Sequence, residues 1–185
     1  FHTRNIAAML SLNYQVNENH VMGVRYDFSR NPQIEMKLNM NSSIHVDNIL
    51  EEESKSKSHS ITTDNRHSVN AYYNGNFNDW NVDLNMDGMW SDSNNPIVAE
   101  EYVKQSDNKK VSSTIHTLGK NRNELYAAKL VMEHPLWEGS FSIGSEYTYS
   151  SRINQYVNDE NIIPDNDNKI SENAVSAFAM YARSF

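Results

Sequence analysis

The chain has 185 residues, a formal net charge of −8 and no cysteine, and only 38% of its residues are hydrophobic. The length predicts one domain, and the lack of cysteine excludes disulfide scaffolds, thiol redox chemistry and cysteine-based zinc sites. The acidic balance argues against nucleic-acid binding, which needs clustered Lys and Arg, and no apolar run approaches the length of a transmembrane helix.

Apolar and polar residues alternate in the first part of the chain. From Ile6 to Val16 every even position is apolar or aromatic, while the odd positions change from Ala7 and Met9 to polar residues. From Met22 to Phe28 the even positions are apolar or aromatic again. Successive side chains of a strand point to opposite faces, so this period of two predicts two half-buried strands. The polar residues 17–20 between them predict a tight hairpin.

A second hairpin is predicted between His67 and Trp90. The run from Trp80 to Trp90 has the cleanest alternation, and it follows a shorter alternating run over 67–73. The connection 74–79 contains Asn74-Gly75, which we expect to supply the positive φ that a tight turn needs.

A third hairpin pairs an alternating run over 125–133 with one over 141–150, through a turn at 134–139. A last strand is predicted from about Glu172 to Ser184. Its apolar face is ambiguous, because Phe178 and Met180 compete with Val175 and Tyr181 for it.

The connections between these strands differ in length according to the end at which they lie. Short ones follow strands one, three and five, whereas long ones, about 30–66, 92–122 and 152–172, follow strands two, four and six. This asymmetry is typical of bacterial outer-membrane barrels, with short periplasmic turns and long extracellular loops. Strands of about 10 residues and aromatic side chains near the strand ends agree with it.

The first long connection is itself patterned. Apolar residues alternate with polar ones over 34–41, and lysines alternate with serines over 54–58. A structureless loop of this length would be unusual. We therefore expect two strands that continue past the membrane as a hairpin, with its tip near residues 51–53.

These patterns predict an all-β fold, an antiparallel up-and-down meander of long strands of the outer-membrane β-barrel type. The chain would be a single β-barrel segment spanning 1–185, a partial barrel. Two alternatives stay open. A soluble β-sandwich binding module also alternates apolar and polar residues. A small complete outer-membrane barrel would suit the length and the terminal Phe185, although Arg183 occupies a position that such barrels keep apolar.

Charged and amide side chains occupy the face opposite the apolar one. We predict that they form a polar wall of the lumen. Its acidic members Asp27, Asp83, Asp87 and Glu146 form a cation-attracting surface in one interpretation, and ordinary hydration of a lumen surface is the simpler interpretation. The residues are Arg25, Asp27, Asp83, Asn85, Asp87, Lys129 and Glu146.

No spacing in the chain indicates a catalytic, cofactor or metal site. There is no nucleophile elbow, phosphate-binding glycine loop or His-Glu-x-x-His motif. Asp165-Asn166-Asp167-Asn168 resembles the start of a calcium loop, but Lys169 and Ile170 occupy positions where that loop needs an oxygen donor and a glycine. The seven histidines lack metal-ligand spacing. We therefore predict a protein that is not an enzyme and has no cofactor.

Several segments resemble a known family. Leu12–His20 and Gly23–Pro32 look like its first hairpin, His67–Gly75 like its next, and Glu172–Ala174 leading to Tyr181–Phe185 like a later strand. The chain thereby resembles the outer-membrane β-barrel portion of TonB-dependent-receptor-like proteins. The motifs mark turns and aromatic girdles, and they do not indicate a ligand.

The resemblance implies a protein longer than this chain. Members carry a signal peptide, a small β-sandwich and a plug domain ahead of a barrel of about 22 strands. Because the chain starts at Phe1 rather than Met and shows seven spanning strands, we expect an excised piece of a barrel wall. The implied function is TonB-dependent nutrient uptake in the outer membrane of a Gram-negative bacterium.

The expected partners follow from that role. They are outer-membrane lipid, the plug and remaining strands of the same receptor chain, and an unknown transported ligand; nucleic acid is not among them. The isolated chain is expected to keep an open sheet and to associate edge to edge, because its first strand has no charge or proline between Ile6 and Val16.

Overall fold

The computed structural model describes residues 2–105, 109–160, 162 and 164–183. These form one antiparallel sheet whose seven strands lie side by side in chain order. The all-β up-and-down meander predicted from the alternation is confirmed. The strands are β1 His2–Asn17, β2 His20–Val46, β3 Ile49–Phe77, β4 Trp80–Gln105, β5 Lys110–Leu136, β6 Gly139–Asn158 and β7 Asn166–Arg183.

Three two-residue turns join the strands at one end of the sheet, which we call the lower end. They lie at residues 18–19, 78–79 and 137–138, within the three turns that the sequence predicts. Asn17 Oδ1 accepts a hydrogen bond from the Asn19 N–H at 2.9 Å, and Asn78 and Trp137 adopt a φ of 55°. Asparagine tolerates this left-handed conformation better than most residues.

The sheet is a single open layer. In the part of the chain that the structure describes, β1 pairs only with β2 and β7 only with β6, and no hydrophobic residue is buried. A β-sandwich would place a second sheet against the apolar face and bury it. The soluble sandwich alternative therefore does not describe this fold.

The four middle strands are much longer than the spanning runs predicted from the sequence. The first long connection is an antiparallel hairpin that turns at Asp47 and Asn48, with φ values of 48° and 65°. The hairpin was predicted, but its tip at residues 51–53 was wrong. Two successive positive φ values define a type I′ turn, which favours Asp and Asn over Glu.

The second long connection is also largely strand. β4 continues to Gln105 and β5 begins at Lys110, so the two strands form a hairpin at the upper end of the sheet, opposite the short turns. Of the three long connections, only the last one, between Asn158 and Asn166, is a loop in its described residues.

A bulge in β2 changes which face its side chains occupy. The register shifts by one residue between Arg30 and Gln33 against β1, and between Asn31 and Ile34 against β3. We call the face that carries Leu84 the front face and the face that carries Asn85 the back face. A shift of one residue moves alternating side chains to the other face, so even-numbered residues of β2 lie on the front face below the bulge and on the back face above it.

Gly75 does not form a turn, contrary to the expectation from the Asn74-Gly75 pair. It lies inside β3, opposite His20 and Val82. A Cβ atom there would be 2.4 Å from Tyr73 Oη and 2.5 Å from His20 Nδ1. A larger residue would have to displace these two side chains, which cross directly above the Gly75 backbone.

The last strand begins at Asn166, six residues before its predicted start. The register resolves its ambiguous face, since Val175 pairs with Tyr147 and Tyr181 with Phe141 on the front, while Phe178 and Met180 lie on the back. The predicted end at Ser184 lies outside the described residues.

Candidate functional site

The front face carries a broad apolar band at its lower end. The band consists of cross-strand rows, each made of residues directly opposite one another on neighbouring strands. Among the described residues, the rows from Trp80 up to Gly88 contain no Asp, Glu, Lys or Arg on any strand. One row, for example, consists of Leu12, Val24, Ala71, Met86, Ala128, Tyr147 and Val175.

Aromatic side chains border this band below and above. The lower border is the row Phe77, Trp80, His134, Phe141 and Tyr181, in which the Trp80 and His134 rings lie 4.8 Å apart. The upper border includes Phe28, His67 and Trp90, and the His67 ring stacks on Trp90 at 5.2 Å. Tyr26 Oη and His67 Nδ1 are hydrogen-bonded at 2.7 Å.

The height of the band can be estimated from the two tryptophans. Trp80 and Trp90 both lie on the front face of β4, so the strand advances about 33 Å between them at about 3.3 Å per residue. A tilt of about 40° reduces this to a height of about 25 Å, which is the height of the lipid-facing apolar band of an outer-membrane barrel.

The back face at the same height is polar. The register places all seven predicted wall residues on it, from β2 to β6. Asn85, Lys129 and Glu146 lie in one cross-strand row, and Arg25 and Asp87 share the next with Asn70 between them. That these side chains line a lumen remains a prediction.

Hydrogen bonds link part of this back-face set. Arg25 forms a two-bonded ion pair with Asp27, each bond 2.8 Å long. Asn70 donates to Asp87 at 2.7 Å, and Asn85 donates to Asp83 at 3.2 Å. The Arg25 and Asp27 side chains remain 55% and 36% exposed, so the wall is a hydrated surface rather than a closed site.

The structure adds two arginines that the sequence analysis missed. Arg66 and Arg152 belong to one back-face row at the upper end of the wall, with Ser91 and Asn123 between them. Arg152 donates to Asn123 at 3.2 Å, and a shallow cavity includes both arginines in its lining. Both lie in ranges interpreted as loops, where alternation was not traced across strands.

Above the bulge the polarity of the two faces is reversed. The back face of β2 there carries Ile34, Met36, Leu38 and Met40, next to the small side chains Thr62, Ser60, Ser58 and Ser56 of β3. The front face carries charges instead. Glu35 accepts hydrogen bonds from Lys37 and His59, both at 2.9 Å. The two hydrogen bonds lower the pKa of Glu35, and the one from Lys37 has the larger effect.

The β6–β7 loop is held by the most buried side chain among the described residues, Asn158, which is 2% exposed. Asn158 Nδ2 donates to the His116 carbonyl at 3.1 Å, and its Oδ1 accepts from the Ile162 N–H at 2.7 Å. Glu160 accepts from the His116 side chain at 2.5 Å and from its backbone N–H at 2.7 Å. Both hydrogen bonds lower the pKa of Glu160, and the one from the His116 side chain has the larger effect.

Neither a helix that could cross a membrane nor a cluster of three His, Asp or Glu side chains that could hold a metal ion occurs in the described ranges. The two carboxylates of the calcium-like segment have protein partners. Asp165 accepts from the Asn158 N–H at 2.8 Å, and Asp167 accepts from Gln155 at 3.2 Å.

Comparison with known proteins finds similarity to solved structures only. No protein-family model and no curated protein matches the chain. The chain is similar to BauA, the ferric preacinetobactin receptor of Acinetobacter baumannii, at 11% identity and a TM-score of 0.45, over 95% of this chain and 28% of that one. It is also similar to FyuA, the ferric yersiniabactin uptake receptor of Yersinia pestis, at 10% identity and a TM-score of 0.29, over 97% of this chain and 34% of that one. The chain thus spans about a third or less of the length of either receptor.

Proposed function

We propose that the chain is part of the wall of an outer-membrane receptor barrel that takes up a nutrient in a TonB-dependent manner. One observation carries the membrane part of this proposal. The front face has an uncharged band about 25 Å high between two aromatic borders, while the back face at the same height is charged. Lipid on one side and water on the other account for both faces.

The exposure of this band requires a partner of matching chemistry. Leu10 is 72% exposed, Leu12 65% and Tyr14 59%, and apolar surface this extensive on a soluble monomer would be an interaction site. Lipid acyl chains cover such a band without a second protein layer. The same reasoning orients the long hairpins at the upper end toward the cell exterior.

The transport part of the proposal is supported by the open sheet and the family resemblance. Seven strands with two free edges need further strands to close a barrel, and the resemblance implies a wide one with a plug. The back-face wall, with Arg66 and Arg152 at its upper end, would line the passage. No residue is assigned a catalytic role.

Cysteine labelling tests the membrane placement, because this chain contains no cysteine. The full-length parent protein in intact outer membranes carries Leu84→Cys in one variant and Asn85→Cys in the other. We expect a membrane-impermeant maleimide to label Asn85→Cys and to leave Leu84→Cys unlabelled until detergent is added. Equal labelling of the two neighbours before detergent would contradict the proposal.

The sequence upstream of Phe1 in the parent gene separates transport from the small-barrel alternative. A plug domain ahead of this chain is expected for the receptor. A signal peptide directly ahead would support a small complete barrel and overturn the transport role.

The free edge of β1 supplies a second test. Its unpaired N–H and C=O groups can template another strand, and β1 has no charged residue between Ile6 and Val16. We propose that the isolated chain in detergent associates through this edge and that Leu10→Pro reduces the association measured by light scattering. A strictly monomeric chain, unchanged by the proline, would indicate a sheet that closes on itself.

A further inference from the structure

A groove with a floor of small side chains runs up the back face from the arginine row toward the upper end of the sheet. It follows the middle strands β3, β4 and β5. Two serines on its floor are only 6% and 8% exposed, and at Gly119 a Cβ atom would meet nothing closer than 3.8 Å. The small floor residues are Ser58, Ser60, Ser91, Ser93, Thr117 and Gly119.

The bulge in β2 gives this groove an apolar wall. It brings Met36, Leu38 and Met40 to the back face beside the serines of β3, and Met36 and Leu38 remain 57% and 59% exposed. Leu38 shares a row with Ala99, which lies about 30 Å along β4 above Trp90 at about 3.3 Å per residue. If the front band contacts lipid, as the proposed function states, these side chains lie outside the bilayer and suit an apolar group of a ligand.

One row near the lower end of the groove consists of hydrogen-bonding side chains without partners. In the described part of the chain, none of these side chains makes a hydrogen bond or an ion pair. The rows directly below and above do contain such bonds, from Arg152 to Asn123 and from Thr62 to Asn95. Amide side chains both donate and accept, as peptide groups do. The row consists of Asn31, Asp64, Ser93, Asn121, Asn154 and Asn168.

Arg66 and Arg152 close the lower end of the groove and line a shallow cavity of about 410 Å³. Three strand spacings of about 4.8 Å place their Cα atoms about 14 Å apart, so both long side chains can reach a group bound between them. Glu172 also lines the cavity, yet no ion pair joins either arginine to it or to another carboxylate among the described residues. A guanidinium binds a carboxylate through two parallel hydrogen bonds, so this end of the groove suits a carboxylate of a ligand.

We propose that the groove binds a short peptide in an extended conformation, as the ligand of the proposed receptor. Apolar side chains of the peptide lie against Met36 and Leu38, its backbone groups bond to the amide row, and its C-terminal carboxylate lies between Arg66 and Arg152. The inference rests on the proposed function, which opens the back face to the cell exterior.

The dimensions of the groove agree with this ligand. Ser91 and Ala99 lie about 26 Å apart along β4, a distance that an extended peptide of about eight residues spans. Alternate side chains of such a peptide repeat at the same spacing as the rows of the sheet. A neutral saccharide would match the amide row but neither the apolar wall nor the arginines.

The test uses the full-length parent protein, purified in a mild detergent, and two pools of synthetic octapeptides. Leucine or methionine occupies every second position and serine or asparagine the others; one pool has a free C-terminal carboxylate and the other a C-terminal amide. Peptide that comigrates with the protein in gel filtration is counted by mass spectrometry. We expect at least about tenfold more retention of the free acid, because the amide loses charged hydrogen bonds.

Variants locate the binding on the back face. Arg66→Ala combined with Arg152→Ala should abolish the preference for the free acid. Gly119→Leu fills the floor of the groove and should remove most retention of both pools. The matched controls lie on the front face: Gly88→Leu, where a Cβ atom also fits, and Arg122→Ala should retain both pools as the unchanged protein does.

Each result decides the inference. Retention of neither pool, equal retention of the two pools, or a preference that survives loss of both arginines would overturn it, and so would an equal loss in Arg122→Ala. Retention of neutral oligosaccharides in place of peptides would overturn the peptide assignment. If Gly119→Leu fails to fold, the arginine pair decides. A parent protein that fails the cysteine-labelling test refutes the proposed function, whereas one that passes it and retains no peptide refutes only this inference.

Discussion

The parts of the sheet below and above the β2 bulge have opposite polarity. Below it, the front face is apolar and the back face is charged; above it, Met36, Leu38 and Met40 lie on the back while Glu35 and Lys37 lie on the front. In a membrane-spanning barrel the front would meet lipid below the bulge and water above it. A single extra residue in one strand is therefore enough to exchange the faces that its apolar and polar side chains occupy.

The upper region also differs in how its side chains are held. Its front face is tied by ion pairs such as Glu35 with Lys37 and His59, and the β6–β7 loop is tied by Asn158. The lower band has few such bonds on its front face. We therefore expect a charged residue introduced into the band to destabilise it. In the upper region we expect destabilisation from the loss of a polar contact.

The largest effect is expected from arginine placed in the band. If the parent protein forms the proposed barrel, Leu84→Arg in lipid vesicles should lower its free energy of unfolding by about 2–4 kcal/mol, the cost of a cation near the bilayer midplane. Leu38→Arg, above the bulge and 59% exposed in this chain, should cost less than about 0.5 kcal/mol, as exposed substitutions usually do. Urea titration measures both.

Asn85→Arg is the control for this pair, because its side chain lies on the back face one residue away from Leu84. We expect little loss for it. Equal losses for Leu84→Arg and Asn85→Arg would contradict the assignment of faces. A large loss for Leu38→Arg would show that the upper back face packs against another part of the parent protein.

A smaller, local effect is expected from Asn158→Ala. The change leaves the Ile162 N–H and the His116 carbonyl without their side-chain partner, and such a loss at a buried site costs about 1–3 kcal/mol. Hydrogen exchange of the Ile162 amide should become faster, while exchange in the band stays unchanged. Asn168→Ala, an exposed asparagine on β7, should leave both unchanged; faster exchange across the whole sheet in Asn158→Ala would contradict a local role.

The smallest effect concerns pH. Hydrogen bonds from His116 lower the pKa of Glu160 below the ordinary value of 4.5, so the ionised carboxylate stabilises the fold above that pH. Its contribution is lost as the pH falls through the lowered pKa of the folded state. Carboxyl NMR titration should show this pKa directly. In His116→Ala it should return toward 4.5, and an unchanged pKa would refute the pairing.

The sequence alone determined the lower parts of the strands, the faces of those parts in β1 to β6 and the approximate positions of the three lower turns. Alternation from Trp80 to Trp90 has a period of two, which only a strand produces. Asn or Asp occurs in the turns at 18–19 and 78–79, whereas the third turn is Trp137-Glu138. Because the predicted lower connections are short, the strand neighbours follow directly from the sequence, whereas the two-residue turns that set the register are known only from the structure. Leu10, Leu12, Val82 and Leu130 share one face, as expected.

The tertiary structure alone decided the features that depend on pairing between strands. The alternation from Ile34 to Met40 continues that of Met22 to Phe28 in phase, so nothing in it reveals that the bulge moves these residues to the back face. The same holds for Gly75, whose function comes from Tyr73 and His20 crossing above it, and for Arg66 and Arg152, which only register brings into one row. A period of two tells which side chains share a face within one strand, whereas the pairing of neighbouring strands decides which face that is.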